Sequence, residues 1–179
     1  RTTVNGIHAM FRHALDQAVR WGLVAPIATE QVDPPSRDNP ERTVWSGEQL
    51  RLFLKAASKD AHGCLWRLAV YTGMRRGELL GANLADADME RGVVAVKRSY
   101  SRGAGNLYEM GQTKTHSSRR QITIPASIVQ DLQAHFIKQM DRRLELGTDY
   151  LDQGLVFADG IGRPVHPNTL ADHFAKVTK

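Results

Sequence analysis

The apolar residues of this 179-residue chain change their spacing twice. Through residue 80 they recur at three- and four-residue steps, the period of a helix with one buried face. Between 92 and 124 they fall into short runs bounded by glycine, polar turns and proline. These runs are Gly92-Val93-Val94-Ala95-Val96, Leu107 to Met110, and Arg120-Gln121-Ile122-Thr123-Ile124, the last ending at Pro125. From Ala126 the helical steps return through Val129, Leu132, Phe136, Met140 and Leu144, and Gly147 ends them. Short strands in immediate succession pair as antiparallel neighbours. The order therefore predicts a mainly α fold with a small three-stranded antiparallel β-sheet, an α+β class.

The helical parts divide at a linker. Residues 2–21 read as an amphipathic helix with Val4, Ile7, Phe11, Ala14, Leu15 and Ala18 on one face and Trp21-Gly22 as its stop. Val32-Asp33-Pro34-Pro35-Ser36-Arg37-Asp38-Asn39-Pro40 is rich in proline and polar residues and marks a domain boundary. One helix cannot be a domain, so residues 1–33 are expected to be the tail of a preceding one, with a linker over 34–42 and the main domain over 43–179. Ser46-Gly47-Glu48-Gln49 is a capping box, and Leu50, Phe53, Leu54 and Ala57 give the helix behind it an inward face. Residues 61–72 form a more apolar, central helix in which Tyr71 reads as core. Leu155-Val156-Phe157 is a short apolar piece, and a last helix spans Thr169 to Val177.

At the end of the central helix the chain reads Tyr71-Thr72-Gly73-Met74-Arg75-Arg76-Gly77-Glu78-Leu79-Leu80. An apolar helix enters a glycine-marked turn, two arginines follow, and a second short helical pattern begins. Held by apolar residues on both sides, the pair is a device for aiming a guanidinium from a rigid frame. The plainer alternative is a surface arginine paired with Glu78 three residues on.

Composition narrows the class of partner. With 41% hydrophobic and 24% charged residues the chain has the makings of a soluble core, and no long uncharged apolar run or secretory signal is present. The single cysteine, Cys64, cannot form an internal disulfide, which fits a reducing cytoplasm. The net charge is +5, yet residues 91–120 alone carry Arg91, Lys97, Arg98, Arg102, Lys114, Arg119 and Arg120 against one acid, Glu109, a formal +6. On charge alone, a face for a polyanion and a solvated basic hairpin fit equally. His62-Gly63-Cys64 is the only close His/Cys pair and lacks a second pair at zinc spacing, so no metal is expected. No phosphate-binding loop or dinucleotide fingerprint appears, so nucleotide-triphosphate chemistry is not expected.

Thr72-Gly73-Met74-Arg75-Arg76-Gly77-Glu78-Leu79 resembles the first conserved box of the tyrosine recombinases, the phage-integrase family. Thr113-Lys114-Thr115-His116-Ser117-Ser118-Arg119-Arg120-Gln121-Ile122-Thr123-Ile124-Pro125 is similar to that family's β-hairpin lysine segment. The order and separation of the two also match, and the resemblance covers nearly the whole chain. It implies that residues 1–33 are the C-terminal helix of a core-binding, DNA-clamping domain, and that 43–179 are the N-terminal part of the catalytic domain. It implies catalytic roles for Arg75 and Lys114, active-site support from Glu78, and DNA contacts from Arg76, Lys97, Arg98, Arg102, Thr113, Thr115, His116, Arg119 and Arg120.

The chemistry suits these residue types. Attack on a phosphodiester builds negative charge on non-bridging oxygens, and a fixed guanidinium can hold two of them at once. Lysine more readily gives up a proton, here to the leaving 5′ hydroxyl. The resemblance implies a site-specific recombinase that cuts and rejoins DNA through a 3′-phosphotyrosine, without metal or cofactor. It further implies a homotetramer on two DNA duplexes at a recombination or attachment site, in a bacterial cytoplasm and away from membranes.

The chain also departs from the family pattern. A His-x-x-Arg box, a following His or Trp, and the tyrosine nucleophile are not found. His173-Phe174-Ala175-Lys176 imitates the box without its arginine and reads as a surface helix. Tyr71, Tyr100, Tyr108 and Tyr150 do not follow an arginine box and are not expected to be nucleophiles. Together with the start at Arg1, this leads to the expectation of a partial chain, inactive alone, with the remaining boxes beyond Lys179. A non-catalytic, integrase-like DNA-binding regulator is the alternative. An RNA-binding module lacks support, because the strands carry no aromatic-rich pattern for stacking bases.

Overall fold

The computed structural model describes residues 2–25, 43–103, 107–112 and 119–179. The proposed linker, and Thr113, Lys114, Thr115 and His116, lie outside the described residues. The chain forms two units, 1–44 and 45–179. In the first, helix α1 spans Thr2–Arg20. It ends where the Gly22 and Leu23 N–H groups bond the carbonyls of Val19 and Ala18 at 2.9 and 3.0 Å, a hydrogen-bonded helix stop.

The second unit begins with α2 (Gly47–Ala57). Its capping box is complete: Ser46 Oγ accepts from the Gln49 N–H at 3.2 Å, and Gln49 Oε1 accepts from the Ser46 N–H at 2.8 Å. Helix α3 (Gly63–Thr72) starts two residues later than its apolar run suggests. Asp60 accounts for the delay, since its side chain accepts from the His62 N–H at 2.8 Å and its carbonyl from the Gly63 N–H at 3.0 Å, holding a turn ahead of the helix. The short helix α4 (Arg76–Leu80) follows.

The strands differ in pairing from the sequence expectation. A three-stranded antiparallel sheet is present, but its order is β1 (Ala87–Asp88), β2 (Val93–Val96), β5 (Arg120–Thr123). Val94 lies opposite Ile122 in its register. The segment expected at 107–110 is β4 (Tyr108–Gln112), and it pairs with β3 (Arg98–Arg102) in a separate two-stranded ribbon. Strand β3 was hidden because Arg98-Ser99-Tyr100-Ser101-Arg102 offers one large apolar body and no alternation of apolar residues.

Helix α5 (Ala126–Leu146) and α6 (Pro167–Val177) complete the unit. The core is a single cluster in which Leu65, Leu68, Leu80, Ile128, Leu132 and Leu170 are almost fully buried. Val156 and Phe157 join it, tied down by the Val156 N–H to the Ala82 carbonyl at 2.9 Å.

One residue expectation needs correction and another needs an addition. Tyr71 is 53% exposed rather than core. At about 100° per residue it lies roughly 120–160° around α3 from Leu65, Trp66 and Ala69, away from their buried face. The His173 segment lies on a surface helix, as expected, with Phe174, Ala175 and Lys176 exposed, but one edge of it is packed. His173 Nδ1 is 2.7 Å from Asp60 Oδ2, and its ring meets His62 edge-on at 4.7 Å. Phe174 packs against Phe53 and Trp66, both at 5.7 Å between ring centres. Leu170, His173, Phe174 and Val177 recur at helical steps, and this stripe turns the imitation of His-x-x-Arg into a packing face.

Candidate active site

The site is built on the turn between α3 and α4. Gly73 ends α3 with φ +61°, a left-handed conformation that a Cβ disfavours, and its N–H bonds the Ala69 carbonyl at 2.9 Å. Thr72 Oγ1 donates to the Leu68 carbonyl at 2.6 Å and accepts from the Met74 N–H at 3.3 Å, closing the turn from the side. Met74 is buried in the core. With one residue anchored inside, the next is forced outward: the Arg75 side chain is 75% exposed.

Glu78 sits one turn beyond, and its side chain is only 4% exposed. Its Oε2 accepts from the Arg75 backbone N–H at 2.8 Å, and its Oε1 from Arg75 Nη1 at 3.0 Å. The i, i+3 pairing is therefore real, but it is part of something larger. Arg120, at the start of β5, grips the same carboxylate with both terminal nitrogens, Nη1 to Oε1 at 3.1 Å and Nη2 to Oε2 at 2.9 Å. Burial pushes the Glu78 carboxyl up. The hydrogen bonds from Arg120 and from the backbone and side chain of Arg75, with the Arg120 charge, outweigh this and bring it down to about 2. Glu78 in turn holds the Arg120 guanidinium above its ordinary range.

Helix α4 lies directly on the backbone of β3. A Cβ at Gly77 would come within 2.6 Å of Ser99 Oγ and 3.0 Å of the Tyr100 carbonyl oxygen, and one at Gly81 within 2.9 Å of Ser99 Cα. The two glycines thus set how close the Arg75 turn comes to the ribbon.

The other basic residues divide by their partners. Lys97 Nζ and Arg98 Nη1 both reach Asp86, at 2.8 and 3.1 Å, and the Asp86 side chain is 6% exposed. Asp86 went unnoticed in the sequence because it lies in a turn-rich connection with other acids nearby. Arg102 rests over the Tyr108 ring, 5.7 Å from its centre, a cation–π contact. Arg76 and Arg119 are exposed.

Among the described residues, no group of three His, Cys, Asp or Glu side chains is placed to hold a metal. Burial, followed by the charge of Asp131, raises the Cys64 thiol to about 12, so it is a poor nucleophile. A cavity of about 780 Å³ is lined in part by His62, Cys64, His135 and His166, and neither Arg75 nor Glu78 is among its lining residues. No described helix is long and apolar enough to cross a membrane.

No family model matches the chain. Among curated proteins it is 28% identical over 192 residues to a tyrosine recombinase XerC-like protein of Caldanaerobacter subterraneus subsp. tengcongensis, covering 98% of this chain and 49% of the relative. It is 36% identical over 86 residues to an integrase of Streptomyces ambofaciens, covering 48% of this chain and 20% of that protein. The chain thus spans about half the length, or less, of the curated relatives it matches. Among solved structures it is similar to the Tn1549 transposon integrase in complex with transposon right end DNA, with TM-score 0.77 and 21% identity over 99% of this chain and 57% of that one. It is also similar to a lambda integrase tetramer bound to a Holliday junction, with TM-score 0.59 and 16% identity over 96% of this chain and 45% of that one.

Proposed function

We propose that this chain, which belongs with the tyrosine recombinases and integrases in fold and in sequence relationship, supplies half of the active site of a site-specific DNA recombinase. The observation that carries this is the pose of Arg75: exposed, anchored by Met74 beneath it, and tied to a buried carboxylate through one terminal nitrogen. The tether uses only Nη1, so the Nε and Nη2 edge is left to meet two non-bridging phosphate oxygens. Arg75 would stabilise the charge that develops when a nucleophile attacks the scissile phosphate, an effect of about 3–4 kcal/mol for one positioned donor of this kind. Lys114 would protonate the leaving 5′ hydroxyl.

The nucleophile is a tyrosine outside the 179 residues, and the product of its attack is a 3′-phosphotyrosine that conserves the phosphodiester energy for rejoining. The residues present do not cleave DNA alone. Residues 1–33 belong to a DNA-clamping domain and 43–179 to the catalytic one. The partner is a double-stranded recombination site, engaged by four protomers on two duplexes in the bacterial cytoplasm.

The test is covalent capture. Full-length recombinase carrying these residues is incubated with a nicked suicide duplex, and the phosphotyrosine adduct is counted. Arg75→Ala abolishes capture while largely sparing binding. Unchanged capture would overturn the assignment. A wild-type protein that binds the duplex and never forms an adduct would favour a non-catalytic DNA-binding regulator.

A further inference from the structure

Glu78 has two cationic partners, and they are not equivalent. Arg75 is 75% exposed and touches the carboxylate with one nitrogen, whereas Arg120 is 33% exposed and grips both oxygens end-on. A buried carboxylate held only by Arg75 would cancel that arginine's charge and leave little for a phosphate. With Arg120 in place, the cluster of two guanidiniums and one carboxylate keeps a formal charge of +1 on its exposed member. The clamp also joins distant parts of the chain. Arg120 lies 42 residues from Glu78, in the strand register opposite Val96, so the central sheet fixes the carboxylate that fixes the Arg75 turn.

We infer that Arg120 is a positioning residue for Arg75, acting through Glu78, and not a direct DNA contact. This inference rests on the catalytic assignment of Arg75 above. The fork geometry is the device: two parallel N–H···O bonds set the carboxylate plane as well as its place. Lysine has the charge without the fork. The Glu78 oxygens then present one backbone bond and one side-chain bond to Arg75, which orients its guanidinium before substrate arrives.

The experiment compares Arg120→Ala, Arg120→Lys and Glu78→Gln, singly and as the Arg120→Ala/Glu78→Gln pair, in the full-length recombinase. Single-turnover adduct formation is measured at saturating suicide duplex, and duplex affinity is measured across a salt series. Arg120→Ala is expected to slow adduct formation at least tenfold, with affinity and salt slope within about twofold of wild type. Arg120→Lys remains at least fivefold slow, and if alanine fails to fold, the folded lysine variant carries the test. The double variant is no slower than the slower single one, because both remove the same support.

A tenfold loss of affinity with a smaller salt slope, and a wild-type rate at saturation, would make Arg120 a phosphate contact and overturn the inference. Multiplicative losses in the double variant would overturn it as well. If Arg75→Ala captures DNA normally, the active-site assignment itself fails. If Arg75→Ala is dead and Arg120→Ala is as fast as wild type, only the positioning role fails.

Discussion

His173 Nδ1 lies 2.7 Å from Asp60 Oδ2, joining residues 113 apart in the chain. The same carboxylate accepts from the His62 N–H at 2.8 Å and from Trp66 Nε1 at 3.2 Å through its other oxygen. Asp60 is thus the shared acceptor for the turn before α3, for the α3 indole, and for α6. Burial raises its carboxyl, and the bonds from His173, His62 and Trp66 outweigh this to leave it below the ordinary carboxylate range.

Asp60→Ala should destabilise the 45–179 unit by roughly 2–4 kcal/mol, because it strands several donors at once in a half-buried place. Urea unfolding at neutral pH checks this. A change under about 0.5 kcal/mol, the range of an ordinary surface substitution, would show that the contact does not hold α6.

Glu78 gives a signed pH prediction. Its folded-state carboxyl is depressed from 4.5 to about 2. The stability it contributes is therefore complete above its unfolded value and is lost as pH falls from about 4.5 towards 2. The full shift corresponds to roughly 3 kcal/mol. Unfolding free energies of wild type and Glu78→Gln should differ by a constant amount at pH 6–7 and converge towards pH 2. A difference that stays constant down to pH 2 would contradict the ionised clamp.

Gly81→Ala should cost about 1–3 kcal/mol by overpacking. Its Cβ would meet the Ser99 backbone at 2.9–3.0 Å, where no side-chain rotation can make room. Gly77→Ala should be milder, since its nearest neighbour is the movable Ser99 hydroxyl. Thermal melts of the two variants rank the effects, and the reverse order would mean that α4 is free to lift from β3.

In the full-length recombinase, Lys114→Ala should slow cleavage by about 10²–10⁴-fold, the usual range for a lost proton donor. A substrate with a 5′-bridging sulfur, whose thiolate leaves without a proton, should restore the rate. Without that rescue, Lys114 would not be a proton donor.

DNA affinity should fall steeply with salt, with a log–log slope of about −0.9 per phosphate contacted. Arg102→Ala should reduce the slope by about one contact, whereas Arg120→Ala should leave it unchanged. Affinity measured from 50 to 300 mM salt separates the two.

Much of this arrangement was legible because it is local. The Ser46–Gln49 box, the glycine after Thr72 and the helical stripe of α5 are set by neighbours within four residues, and periodicity reports them directly. The strand at 98–102 was not legible, because pairing with 108–112 is a backbone event and its side chains are mostly polar. The same holds in the site. Residue type and a motif were enough to single out Arg75 and Glu78. That Arg120 faces inward to Glu78, while Lys97 and Arg98 share the buried Asp86, depends on contacts between residues 11 to 42 apart. A charge count cannot distinguish a basic residue that neutralises a buried acid from one that waits for a polyanion.

Because Gly77 and Gly81 set α4 against Ser99 and the main chain of Tyr100, the distance from the Arg75 turn to the ribbon does not depend on the exposed side chains further along β3, such as Arg102. Arg102 could therefore be exchanged without moving the Arg75 turn. Under the function proposed above, contacts to DNA could be altered on β3 while the Arg75 turn stays in place, which makes this strand the place to retarget such a protein.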